Sequence, residues 1–121
     1  MAEPLEQARL LQAAAALDGF DWPDTVGMWD KLAEEIAELR AAEPEGQARC
    51  ADELGDVLFM VINLARHLRV DPATALRAAC AKFSARYAYV QAHAAGLPPR
   101  GSPERLQAME ILWQQAKLEE R

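Results

Sequence analysis

No stretch of the 121 residues alternates β-branched and polar side chains, so the chain lacks the raw material of a half-buried strand. Helices are left as the regular structure, and Ala, Leu, Glu, Arg and Gln, all good helix formers, recur throughout. Five helical segments can be read. The first runs from about Pro4 to Leu17 and is stopped by Asp18-Gly19. The second starts near Asp24, an N-cap residue, and runs to about Ala42, with Pro44 and Gly46 punctuating the gap to the next. The third covers about Gln47 to Leu68. Asp71-Pro72 places a cap before proline at the first helical position and opens the fourth, to about His93. After the breaker-rich loop 96–101, Ser102-Pro103-Glu104 repeats that signal and opens the fifth, to about Leu118. With 51% hydrophobic residues, a chain this long builds one compact core. The expectation is therefore an all-α antiparallel bundle of about five helices, one domain over 1–121, completed by self-association.

Composition also excludes. The start of the chain has no basic stretch followed by an apolar run, so no signal peptide is read. The longest apolar candidate, Val57 to Leu68, is interrupted by Asn63, Arg66 and His67 and falls short of the roughly 18 residues of a membrane span. A cytoplasmic protein without a membrane partner is expected. Cys50 and Cys80, with no CxxC, read as free thiols in a reducing compartment. A formal charge of −6 argues against a nucleic-acid partner, which needs a basic face.

The chemistry is concentrated in two acidic pairs. Glu35 and Glu38 are three residues apart on the second helix, and Glu53 and Asp56 repeat that spacing on the third. Residues three apart project about 60° from one another, on one face. A short turn makes the two helices antiparallel neighbours, so the pairs can meet across the seam. Four converging carboxylates repel, and a hard divalent cation resolves the repulsion while keeping waters for phosphate exchange. The other reading is a bundle with ordinary surface acids. A carboxylate di-iron site would need a Glu-x-x-His pair, which the chain lacks. Leu54, Val57, Leu58, Val61 and Ile62 make the third helix strongly apolar, which puts Glu53 and Asp56 at the edge of a buried stripe. Gly55, costly inside a helix, calls for a close helix approach or a ligand contact.

Around these acids the sequence has an ordered series of motifs. Gly19-Phe20-Asp21-Trp22-Pro23 and Trp29-Asp30-Lys31 precede Glu34-Glu35-x-x-Glu38. After fourteen intervening residues comes Glu53-x-x-Asp56, then Asn63-Leu64-Ala65-Arg66-His67-Leu68, Lys82-Phe83-x-x-Arg86-Tyr87 and Trp113-Gln114-Gln115-Ala116-Lys117. The series, from about Gly19 to Lys117, resembles the MazG-type nucleoside triphosphate pyrophosphohydrolases of the all-α NTP pyrophosphatase superfamily, in a single-domain form. The resemblance implies magnesium, with manganese as a substitute, held by Glu35, Glu38, Glu53 and Asp56. It implies that Glu34 orients or deprotonates the attacking water, unless it is a surface acid. Lys82 and Arg86 resemble the family's triphosphate-contacting pair, against the alternative of helix-surface salt bridges. Lys31 either reaches a phosphate or pairs with Glu35. Trp113 resembles a tail tryptophan that covers the nucleotide, or it is core. Trp22 presents the same choice, and Trp29 is expected to pack. Asn63 either hydrogen-bonds a base edge or satisfies a polar spot in the bundle. His67 and His93 read as structural or solvated.

The implied reaction is water attack on the α-phosphorus of a nucleoside triphosphate, ribo- or deoxyribo-, standard or not, giving monophosphate and pyrophosphate. A homodimer or dimer of dimers is the expected assembly. The rival from another class is a catalytically idle helical module that binds a nucleotide or a partner.

Overall fold

A computed structural model describes residues 3–120. It is all-helical, with α1 (Pro4–Leu17), α2 (Val26–Ala42), a short 3-10 turn (Glu43–Glu45), α3 (Gln47–His67), α4 (Pro72–Ala92) and α5 (Pro103–Glu119), and no strand among the described residues. The sequence marked most of these ends through their caps. Asp71 Oδ2 accepts from the Thr74 amide at 3.1 Å, and Ser102 Oγ accepts from the Arg105 amide at 3.2 Å. At α2 the helix begins two residues after Asp24, whose Oδ1 accepts from the Val26 amide at 2.9 Å. Each such bond satisfies a first-turn N–H that has no helical partner.

The chain falls into two compact units, residues 1–75 and 76–121. In the first, α2 and α3 form a helical hairpin. Cys50 Sγ donates to the Ala42 carbonyl at 3.4 Å near the corner, Glu35 meets Glu53 further along, and Met28 packs with Met60 and Leu64 at the far end. Positions rise on one helix as they fall on the other, so the pair is antiparallel. The corner depends on Gly46, whose φ of +104° lies where side chains other than glycine are strained. Met28 is fully buried and Met60 and Leu64 nearly so, with Trp22 and Leu32 packed against them. Burying side chains of this size contributes about 1.5–3 kcal/mol each. Gly27 makes room for this packing. A Cβ there would lie 3.1 Å from Trp22 Cζ3. Helix α1 lies on α3, with Gln12 Nε2 donating to the Phe59 carbonyl at 2.8 Å.

In the second unit, Phe83 packs against Tyr87 and Trp113 at ring-centre distances of 5.9 and 5.3 Å. The Arg86 guanidinium stands 5.6 Å over the Trp113 ring and pairs with Glu120 at 2.8 Å, joining α4 to the end of α5. Trp113 is half-buried in this cluster.

Three expectations are corrected. Trp29 does not pack: it is 51% exposed, because it follows Met28 by one residue and so turns about 100° away from the face toward α3. Gly55 serves no close approach between helices of the chain, since a Cβ there meets nothing within 4 Å. It sits about 160° around α3 from Glu53. Of the five apolar positions expected to form a buried stripe on α3, Ile62 is buried and Val57 half-buried, but Leu54, Leu58 and Val61 are exposed, while Glu53 itself is buried. The two cysteines are free, as expected. His93 is structural, its Nδ1 lying 2.8 Å from the Tyr89 carbonyl and its ring stacking on Tyr89.

Candidate active site

The antiparallel register brings the acids of α2 and α3 together. Carboxylate oxygens of Glu35, Glu38 and Glu53 lie within 4.8 Å of one another, and those of Asp52, Glu53 and Asp56 form a second group of the same span. The four acids singled out in the sequence therefore occupy two groups that share Glu53. Asp52 is an addition. It is exposed and precedes Asp56 on α3 by four residues, a helical spacing that could have pointed to it.

Glu35 and Glu53 are buried, at 9% and 7% exposure, although carboxylates seldom are unless paired. Each is half paired. Lys31 Nζ lies 3.2 Å from Glu35 Oε1, and Arg49 Nη2 lies 2.9 Å from Glu53 Oε1. The second oxygen of each, Glu35 Oε2 and Glu53 Oε2, has no hydrogen-bond partner among the described residues. A bare buried carboxylate oxygen is costly, and two in one cluster are a stronger demand for a cation. The donor set is all oxygen, which suits a hard divalent ion such as magnesium. Exposed Glu38 reports the crowding: the charge of Glu35, then burial, then the charges of Glu53 and Glu34 push its carboxyl above the usual range. Glu34 is exposed and lies 3.4 Å from Lys31 Nζ. Lys31 thus pairs with both neighbouring acids, which hold its ammonium above its ordinary pKa.

A second feature lies along the same helix. Asp56 is followed on its face of α3 by Phe59, Asn63 and Arg66, and these line a cleft of about 390 Å³. Helix α1 adds Leu11, Gln12 and Ala15, and the α1–α2 loop adds Phe20, Asp21, Trp22 and Pro23. Its walls are mostly apolar with a few polar groups, the usual make-up of a small-molecule site. Gln12 is only 5% exposed. One end of its amide is bonded to the Phe59 carbonyl, and Oε1 has no partner among the described residues. The Arg66 guanidinium, then His67, holds the Asp21 carboxyl far below the usual carboxylate range. His67 Nε2 is 2.9 Å from Asp21 Oδ1, so His67 is structural, as expected. The structure places Asn63 and Trp22 on this cleft, and Lys82, Arg86 and Trp113 in the second unit. Sequence reasoning gave no role to Gln12, Asp21 or Arg66. Gln12 and Asp21 find their partners 45 to 47 residues away, which no helical period records, whereas Arg66 also meets Asn63 at helical spacing, a signal the sequence did offer.

Residues 26–91, which hold the acids of both carboxylate groups, match the MazG nucleotide pyrophosphohydrolase domain. The chain belongs to this family. It is 43% identical over 83 residues to the nucleoside triphosphate pyrophosphohydrolase/pyrophosphatase MazG of Thermotoga maritima, an alignment covering 69% of this chain and 32% of that protein. It is 38% identical over 121 residues to the nucleoside triphosphate pyrophosphohydrolase of Escherichia coli, covering 96% of this chain and 45% of the relative. The chain thus spans less than half the length of these relatives. Within this MazG domain the matched segment covers α2, α3 and nearly all of α4, while α1 and the loop walling the cleft lie outside it. No described helix is long and apolar enough to cross a membrane.

Proposed function

We propose that this MazG domain hydrolyses nucleoside triphosphates to nucleoside monophosphate and pyrophosphate, with magnesium, or manganese in its place, held by Glu35, Glu38, Glu53 and Asp56. The pair of bare buried oxygens on Glu35 and Glu53 carries the reading. Surface acids of an inert bundle would not leave two such oxygens inside one cluster of three carboxylates. When bound, the ion would supply charge neutralisation at the phosphate oxygens and a more acidic water.

The chain's own residues do the rest. Glu34 orients the attacking water and takes its proton. The water oxygen bonds to the α-phosphorus, the bond to the bridging oxygen breaks, and pyrophosphate leaves. Lys31, already beside Glu35, balances charge next to the triphosphate. The cleft along α3 takes the nucleoside, with Asn63 on the base edge and Trp22 as an aromatic wall. In the second unit, Lys82 and Arg86 offer positive charge suited to the leaving group, and Trp113 offers an aromatic face. The reading takes residues 1–121 as one cytoplasmic domain that works as a homodimer or dimer of dimers. Leu54, Leu58 and Val61, spaced four and three apart and left exposed on α3, support self-association.

Pyrophosphate release across a panel of ribo- and deoxyribonucleoside triphosphates, with magnesium and with chelator, tests this reading. Magnesium-dependent release is expected, falling by at least about 100-fold in folded Glu38→Ala. Nucleotide binding without release from any member would favour an idle binding module. Unchanged release in Glu38→Ala would put the active centre elsewhere.

A further inference from the structure

We infer that Arg66 is a positioning residue for base selectivity, fixing Asn63 so that its side chain offers the cleft hydrogen-bond donors and no acceptor. The inference rests on the cleft's being the nucleoside site. Arg66 Nε and Nη2 both reach Asn63 Oδ1, at 3.2 and 2.9 Å. A guanidinium has five N–H donors and no acceptor, so the atom of the Asn63 amide that faces it must be the oxygen. The nitrogen is thereby turned away, and no described residue accepts from Nδ2.

Arg66 is itself held. Nη2 also donates to Asp21 Oδ1, and His67 binds the same oxygen. Asp21 belongs to the loop that walls the cleft, so the ends of the lock are anchored on both α3 and the α1–α2 connection. Turning the amide over would set its NH2 against a guanidinium and strand both. The side chain therefore reads only one pattern. A base presenting a carbonyl oxygen to Asn63 gains a hydrogen bond, and one presenting an amino group leaves two donors facing each other. The favoured class is the keto-edged bases: hypoxanthine over adenine, and uracil over cytosine.

The experiment uses the full chain with the matched pairs ITP/ATP and dUTP/dCTP, which differ at one exocyclic position. Wild type is expected to favour the keto member by about tenfold in kcat/KM, the worth of one buried hydrogen bond. Arg66→Met frees the amide to rotate and should bring both ratios toward one, with the change in KM more than in kcat. Arg66→Lys, which still donates to Oδ1, should restore part of the preference. Asn63→Asp keeps its shape and its Arg66 contact but accepts instead of donating, so it should reverse the ratios. That variant tests the idea even where Arg66→Met does not fold. Binding of α,β-imido dUTP and dCTP should show the same order. Wild type that hydrolyses nucleotides with equal or amino-favouring ratios overturns the positioning role alone. So does folded Arg66→Met with wild-type ratios, or Asn63→Asp without reversal. Wild type that neither binds nor hydrolyses any of the four overturns the pyrophosphohydrolase reading with it.

Discussion

The two ends of α3 solve opposite electrostatic problems. Around Glu53, like charges are gathered and two buried oxygens are left bare. Around Arg66, unlike charges and amides are matched: Asp21 with Arg66 and His67, and Asn63 with Arg66. The first cluster calls for an ion from outside, whereas the second is assembled from the chain itself. One helix thus carries a cluster whose charge is left uncompensated and, further along, one whose charges and amides are matched.

The largest effect should come from striking both ends separately. Glu53→Ala removes the acid common to both carboxylate groups. It should lower kcat by at least about 100-fold and abolish the rise in Tm that magnesium produces, read by calorimetry with and without the ion. Asn63→Ala should raise KM about tenfold while leaving the magnesium response in place. If the two variants behaved alike, the division between the ends of the helix would be broken.

A smaller effect is expected at Gly27. Gly27→Ala forces a methyl against Trp22, with no flexible chain end to yield. The clash, partly offset by the helix propensity that alanine gains, should leave a net cost of about 1 kcal/mol in denaturant unfolding, again without touching the magnesium response. Loss of that response would show that the cleft and the acids are one mechanical unit.

The smallest effect concerns acid. The Asp21 carboxyl is held below its ordinary value by Arg66 and His67. A depressed carboxylate contributes stability that is fully present above the unfolded-state value near 3.8 and is lost only as pH falls below it, toward the folded value. The Tm difference between wild type and Asp21→Asn should therefore stay level from pH 7 to about 4 and narrow only below that. A difference that already shrank between pH 7 and 5 would mean that another group governs the clamp.

The carboxylate end was far more legible in the sequence than the cleft, for a physical reason. Glu35, Glu38, Glu53 and Asp56 announce themselves through helical spacing, and a short corner with Gly46 sets their register. The helix ends were legible too, because Asp71 and Ser102 act on amides within their own first turns. The cleft depends on contacts between distant segments, such as Gln12 with Phe59 and Asp21 with Arg66, that leave no local period. Trp29 and Gly55 misled for a related reason. Residue type gave each a role, tight packing or close approach, that its angular position on the helix denies it.

The ion pairs of the buried acids bear on how the protein comes into being. Lys31 and Arg49 each hold the Oε1 of one acid and leave Oε2 alone. Counter-charge is thus supplied from within the same two helices, on one oxygen of each acid. A newly made chain can therefore close this hairpin with half of each buried carboxylate already compensated.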